Sequence, residues 1–96
     1  MATYVIAVID VKDVQRYDAE YVAGVQPLIQ KHGGRLLVVA ESMDVMEGQW
    51  PPGRTIVIEF PDAESARAWY SDPDYQPLLK LRLDISAGML GFADIV

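Results

Sequence analysis

Six side chains in this sequence have the chemistry to hold or transform a small molecule: His32, Glu59, Arg35, Arg82, Trp69 and Tyr70. His32 is the single histidine, and its ordinary pKa near neutrality suits it to general acid–base work. It stands at the end of a helical stretch, where the dipole favours imidazolium, so a C-terminal cap is the competing role. Glu59 interrupts an apolar run and faces away from Ile56, Ile58 and Phe60. A carboxylate there either moves a proton in a cavity or meets a basic partner, for which Arg35 on the adjacent strand is the candidate. Arg82 follows Tyr75 and Leu79 and either grips a ligand carboxylate or pairs with Asp72 or Asp84. Trp69 suits packing between helix and sheet, whereas Tyr70 is the better candidate for the wall of a ligand pocket.

Other chemistries have little support. Without cysteine there is no thiol nucleophile, disulfide framework or thiolate metal site. A solitary histidine lacking an acid–histidine spacing motif is a poor metal ligand, and Asp10, Asp13 and Asp18 lack the glycine-containing loop of a calcium site. The expectation is therefore no metal and no cofactor. The net charge is −6, and the basic residues are scattered singly, which argues against nucleic acid as a partner. The opening segment has no basic region and its apolar run is broken by Asp10, so neither a signal peptide nor a membrane span is expected, and a soluble cytoplasmic protein is the default. Met43, Met46 and Met89 read as gap fillers.

The elements that must position these residues follow from periodicity. Thr3 to Val11 is rich in Val, Ile and Tyr and reads as a strand covered on both faces. Asp13 caps a helix whose apolar positions Val14, Tyr17, Tyr21, Val25, Leu28, Ile29 and His32 recur every three or four residues. Pro27 removes a backbone donor, which predicts a kink, and Gly33-Gly34 ends the helix. Arg35 to Glu41 and Thr55 to Phe60 are strands. Ser42 to Arg54 is too long for a tight hairpin and is expected to extend the strand pair before turning, with Trp50 packing against a partner subunit. Asp62 caps a second helix that buries Ala63, Ala66, Trp69 and Tyr70. Ser71-Asp72-Pro73 breaks that helix, and Asp72 with Pro73 starts a further one through Leu78, Leu79 and Arg82. Ser86 to Val96 is a final strand.

The order βαββαβ over residues 1–96 predicts one α+β domain of ferredoxin-like type, with a four-stranded antiparallel sheet and helices on one face. At 96 residues with 51% hydrophobic residues, the chain has apolar surface to spare. Self-association of two sheets is the simplest cover for the second face, and a homodimer is expected. An interface of roughly 800 Å² per subunit lies within what one sheet face offers.

Several segments together resemble the family known as domain of unknown function 1330: Tyr4-Val-Ile-Ala7, Gly33-Gly34-Arg35, Val45-Met-Glu-Gly-Gln-Trp-Pro-Pro-Gly-Arg54, Ile58-Glu-Phe-Pro-Asp62, Ala68-Trp-Tyr-Ser-Asp-Pro-Asp-Tyr-Gln76 and Leu81-Arg82. The resemblance spans nearly the whole chain. It implies a small dimeric α+β barrel, related in fold to muconolactone isomerases, chlorite-dismutase-like proteins and cofactor-free antibiotic-biosynthesis monooxygenases. It implies no specific activity, because that barrel hosts unrelated chemistries. His32 departs from the aromatic residue more usual before the Gly-Gly, so no role is carried over to it. Two functions fit: a cofactor-independent enzyme acting on a small aromatic or acidic molecule, or a non-catalytic dimeric module that binds a small molecule or serves structure. In the first, Arg35 or Arg82 orients an anionic group, Trp69 and Tyr70 shape the pocket, and His32 or Glu59 moves a proton.

Overall fold

A computed structural model describes residues 2–94. Strand β1 (Thr3–Val11) leads into a helical run of three parts, α1 (Val14–Arg16), a π-helical stretch (Tyr17–Val22) and α2 (Ala23–Lys31). Strands β2 (Arg35–Ala40) and β3 (Arg54–Phe60) follow, then α3 (Ala63–Ser71), α4 (Gln76–Ile85) and β4 (Ser86–Asp94). The sheet order is β2-β3-β1-β4 with every pairing antiparallel. This is the ferredoxin-like α+β arrangement. The last strand is described to Asp94, and Ile95 and Val96 lie outside the described residues.

Strict alternation builds the core. Val5, Ala7 and Ile9 of β1 and Ile58 and Phe60 of β3 turn towards the helices, which return Tyr17, Tyr21, Val25, Ile29, Ala66 and Trp69. Trp69 is the largest fully buried side chain, with ring centroids 5.5 Å from Phe60 and 4.7 Å from Tyr75. Caps fix the helix starts: the Arg16 amide donates to Asp13 Oδ1 at 3.1 Å, and the Ser65 amide to Asp62 Oδ1 at 2.7 Å. Gly33 closes the first helical run at φ 77°, where a side chain would be strained. A Cβ on Gly34 would stand 2.6 Å from Phe60 Cε1, so the glycine pair admits both the turn and the close approach of β3.

Several expectations need correction. The helix runs through Pro27, and its irregularity lies upstream, in the wider π-helical turns of Tyr17–Val22. That stretch keeps Tyr17 and Tyr21 both buried, while Val14, expected on the buried face, is exposed. The last helix begins at Gln76, with Pro77 rather than Pro73 in its first turn. Asp72 still organises the break, because its Oδ1 accepts the Asp74 amide at 2.8 Å. The segment between β2 and β3 forms no strand extension. Trp50 Nε1 donates to Thr55 Oγ1 at 3.1 Å within the chain, while the residue itself stays exposed. Within one chain the face of β1 away from the helices is partly covered, with Val8 buried and Ile6 44% exposed.

A bulge in β2 matters for the site. The register slips between Leu36 and Val38, so Leu36 opposes Ile58 and Val39 opposes Ile56, both on the helix side of the sheet. Neither residue is covered by a helix, and both stay exposed. The helix layer thus leaves the β2 edge open.

Candidate functional site

Between the helices and that open edge lies a cavity of about 360 Å³. Its floor is the inner face of the sheet, where Ala7, Ile9, Ile56 and Leu90 contribute small or aliphatic side chains from three strands. Tyr17, Tyr21 and Val25 form the wall from the first helical run, Trp69 comes from α3, and Arg82 comes from α4. Ala7 at the centre of the floor leaves room that a larger side chain would fill.

Arg82 is the least expected member. It is only 6% exposed, yet among the described residues neither Asp72, Asp84 nor any other carboxylate forms an ion pair with it, and its buried Nε has no hydrogen-bond partner. Its guanidinium carbon lies 6.0 Å from the centre of the Tyr21 ring. Burial acts to lower its pKa, whereas the Tyr75 and Tyr21 oxygens raise it, and the balance is upward, so the group stays a cation. Part of that upward pull is the approach of the Tyr75 hydroxyl, a neutral partner. Burial pushes the Tyr21 and Tyr75 hydroxyls up, and they face one another at 2.7 Å. At neutral pH the guanidinium therefore carries the cost of burial without a counter-ion. Trp69, 1% exposed, also leaves its Nε1 without a partner. Two unpartnered donors thus belong to side chains lining one cavity.

The solvent side is charged. Arg54 donates from Nη1 to Asp18 Oδ1 at 2.8 Å and approaches Glu41 at 3.1 Å through Nε, while its guanidinium carbon lies 5.4 Å from the Tyr17 ring centre. Asp18 and Glu41 are exposed, so their pairing with Arg54 marks the mouth. The Arg54 contact holds the Asp18 carboxyl below its usual range, against the smaller opposing effect of burial.

The other candidates lie elsewhere. His32 follows α2 as its C-terminal cap, and its Nε2–H donates to Asp72 Oδ2 at 2.8 Å, where Lys31 Nζ also donates at 2.9 Å. The histidine is 18% exposed and the carboxylate 4%, so this trio ties the end of α2 to the α3–α4 break. Bonds from His32, Lys31 and the Asp74 amide hold the Asp72 carboxyl far below its ordinary 3.8. A carboxylate whose folded pKa is depressed contributes stability fully above its unfolded value and loses it as pH falls through the folded one. Urea midpoints of the native protein are thus expected to fall more steeply than those of Asp72→Asn between about pH 5 and pH 2. Parallel curves would remove this assignment.

Glu59 lies on the sheet face away from the helices. It accepts Tyr4 Oη–H at Oε2 and Arg35 Nη2–H at Oε1, each at 2.8 Å, and the two bonds lower its pKa. Arg35 and Glu59 are direct cross-strand neighbours. Tyr70 packs in an aromatic cluster with Trp69, Tyr75 and Phe92, at centroid distances of 5.9, 5.8 and 6.1 Å, behind the cavity wall. The structure therefore brings Arg82 and Trp69 together and leaves His32, Glu59, Arg35 and Tyr70 outside the cavity lining. Tyr17, Tyr21, Arg54 and Asp18 were not singled out from sequence. Tyr17 and Tyr21 carried a signal in their spacing of four on the buried helix face, and Arg54 carried none. Among the described residues no group of three or more His, Asp or Glu could hold a metal ion, and no helix is long and apolar enough to cross a membrane.

A ferredoxin-like sheet with an aromatic, arginine-containing cavity under its helices defines the class. The chain belongs to the family described as a domain of unknown function (DUF1330), whose profile matches residues 2–94. Its fold is shared by a protein of unknown function from Rhodopseudomonas palustris, at TM-score 0.80 and 14% identity over 99% of this chain and 82% of that one. It is also shared by SnoaB, a cofactor-independent oxygenase from Streptomyces nogalater, at TM-score 0.68 and 10% identity over 99% and 93% of the two chains. A candidate antibiotic biosynthesis monooxygenase from Nitrosomonas europaea aligns over 100% and 99% of the two chains at TM-score 0.63 and 16% identity. No curated protein sequence matches the chain.

Proposed function

We propose that this protein binds a small aromatic or acidic organic molecule in the cavity beneath its helices and acts on it as a cofactor-independent enzyme. The observation that carries the reading is the cavity itself, about 360 Å³, apolar on floor and walls, with a buried arginine that has no counter-ion within the described residues. That combination of apolar lining and few placed polar groups is what ligand sites share. Arg82 and Trp69 hold the ligand, and Arg54 with Asp18 guards the mouth. His32, Glu59 and Arg35 support the scaffold. The fold of SnoaB lends analogy to the enzymatic part. One observation favours a second reading, a non-catalytic binding module: His32 and Glu59, the two proton-transfer candidates, both lie outside the cavity.

Thermal-shift measurements with naphthoate are expected to raise the melting temperature in a dose-dependent way, because a ligand of the native state alone stabilises it by mass action. No rise with either naphthoate or para-nitrophenol at millimolar concentration would remove the binding reading. Product analysis after incubation in air then separates the readings, conversion supporting the enzyme and unchanged naphthoate with a retained shift favouring the module.

A sheet-to-sheet homodimer in a cytoplasmic setting belongs to the same proposal. Ile6, Val38 and Met89 expose apolar surface on the face without helices, around the Tyr4–Glu59–Arg35 cluster. Sedimentation at micromolar concentration is expected to give twice the chain mass, and a stable monomer would refute the assembly.

A further inference from the structure

We propose that the ligand is an aromatic oxyanion that enters the cavity already ionised, its negative oxygen held by Arg82 and by the Trp69 indole N–H. This inference rests on the cavity being the binding site and goes further, because it fixes the charge and the hydrogen-bonding character of what the cavity takes.

Donors and acceptors in the cavity are out of balance. Arg82 and Trp69 carry donors only, and the nitrogens Arg82 Nε and Trp69 Nε1 are buried without partners. Buried polar groups are satisfied in the great majority of native structures, and these two nitrogens, closed off in the empty protein, gain acceptors when the lining shifts to admit a ligand oxygen. Most acceptors of the lining are already engaged: the Tyr21 hydroxyl is paired with that of Tyr75, and Asp18 and Glu41 at the mouth are held by Arg54, which leaves the Tyr17 hydroxyl and the Gln26 amide oxygen. A ligand bringing further donors would find few open acceptors, whereas one bringing an oxyanion would answer both orphans and the uncompensated charge.

Ionisation before entry follows from the same geometry. The cavity lining contains no histidine, and its two carboxylates are the ion-paired ones at the mouth. His32 is bound to Asp72, and Glu59 lies on the opposite sheet face. No free base stands inside to take a proton from the ligand, so the negative oxygen forms in solution and is selected by the fixed cation. Aromaticity follows from Tyr17, Tyr21 and Trp69 around the space. The volume gives room for roughly a dozen water-sized groups at ~30 Å³ each, which suits two fused rings with one substituent.

An aryl carboxylate and a phenolate share this chemistry, and three probes separate them. Calorimetric titration of the native protein with naphthoate and its neutral methyl ester reads the carboxylate. Titration of para-nitrophenol, followed through its phenolate absorbance, reads the phenol. The proposal expects the anion of at least one pair to bind roughly tenfold or more tighter than its neutral form, seen for the phenol as a fall of its apparent pKa on binding. Preference confined to naphthoate assigns a carboxylate, and preference confined to para-nitrophenol assigns a phenolate. Arg82→Met is expected to abolish the discrimination, and Trp69→Phe to reduce it several-fold. Equal binding of charged and neutral forms to the native protein overturns the oxyanion while leaving the cavity reading intact. Absence of binding by all three probes overturns both.

Discussion

Arg82→Met is expected to make the ligand-free protein more stable, raising its melting temperature. The side chain is almost fully buried, and within the described residues it meets tyrosine rings and hydroxyls instead of a carboxylate. Replacing buried ionic groups with apolar side chains of similar volume is often neutral or stabilising by about 1–4 kcal/mol, and Arg82 lacks even the attraction that offsets part of that cost in a paired group. Methionine keeps an unbranched stem to pack against Tyr21 and removes the desolvated charge. For a chain of this length each kcal/mol moves the midpoint by about 4–8 °C, so the gain is readable by calorimetry. The same substitution should abolish stabilisation by anionic ligands. A group that weakens the empty protein and strengthens the liganded one is the mark of a site maintained for function. A clear fall in melting temperature for Arg82→Met would show that the guanidinium has a structural partner and that the cavity needs no anion.

Trp69→Ala should produce the largest loss. The indole packs at 4.7 Å from Tyr75, 5.5 Å from Phe60 and 5.9 Å from Tyr70, joining α3 to the sheet and to the start of α4. Truncating a buried tryptophan typically costs about 3–5 kcal/mol through lost burial and the void left behind. Small domains hold only about 5–15 kcal/mol in total, so the variant would sit near the edge of folding. Trp69→Phe should retain most of that packing, since it removes part of the ring and a donor that is unpartnered in any case. Chemical denaturation reads both variants. A loss below about 1 kcal/mol for Trp69→Ala would mean that the aromatic cluster is not the core of the domain.

The strand character of β1, the alternation of β3, the Asp13 and Asp62 caps and the Gly33-Gly34 stop were legible in the sequence, because each depends on neighbours a few residues away. The π-helical stretch was not, because the spacing of Tyr17 and Tyr21 fits an ordinary α-helix equally well and nothing local distinguishes the wider turns. Pro73 looked like a helix start and Pro77 is the one used, because the bonds to the Asp72 side chain occupy the intervening turn. The β2 bulge left no mark in Arg-Leu-Leu-Val-Val-Ala, where every register presents apolar residues to both faces. For the site, the chemistry of single residues was readable and their grouping was not. Glu59 with Arg35 followed from adjacent strands, and their pairing is present at 2.8 Å. That Arg82 would be buried with neither Asp72 nor Asp84 beside it depends on which face of α4 packs inward. Asp72 goes to His32 and Lys31, a long-range contact that no local pattern announces.

The central claim is that function resides beneath the helices, at Arg82 and Trp69, and not on the opposite face of the sheet at Glu59 and Arg35. Amide and methyl chemical-shift mapping of the native protein during titration with naphthoate tests it most directly. The largest shifts are expected on Val25, Leu36, Ile56, Leu90 and the Trp69 indole N–H, with the indole proton moving downfield as it gains an acceptor. Shifts concentrated on Tyr4, Ile6, Val57 and Met89, with the indole proton unmoved, would contradict it.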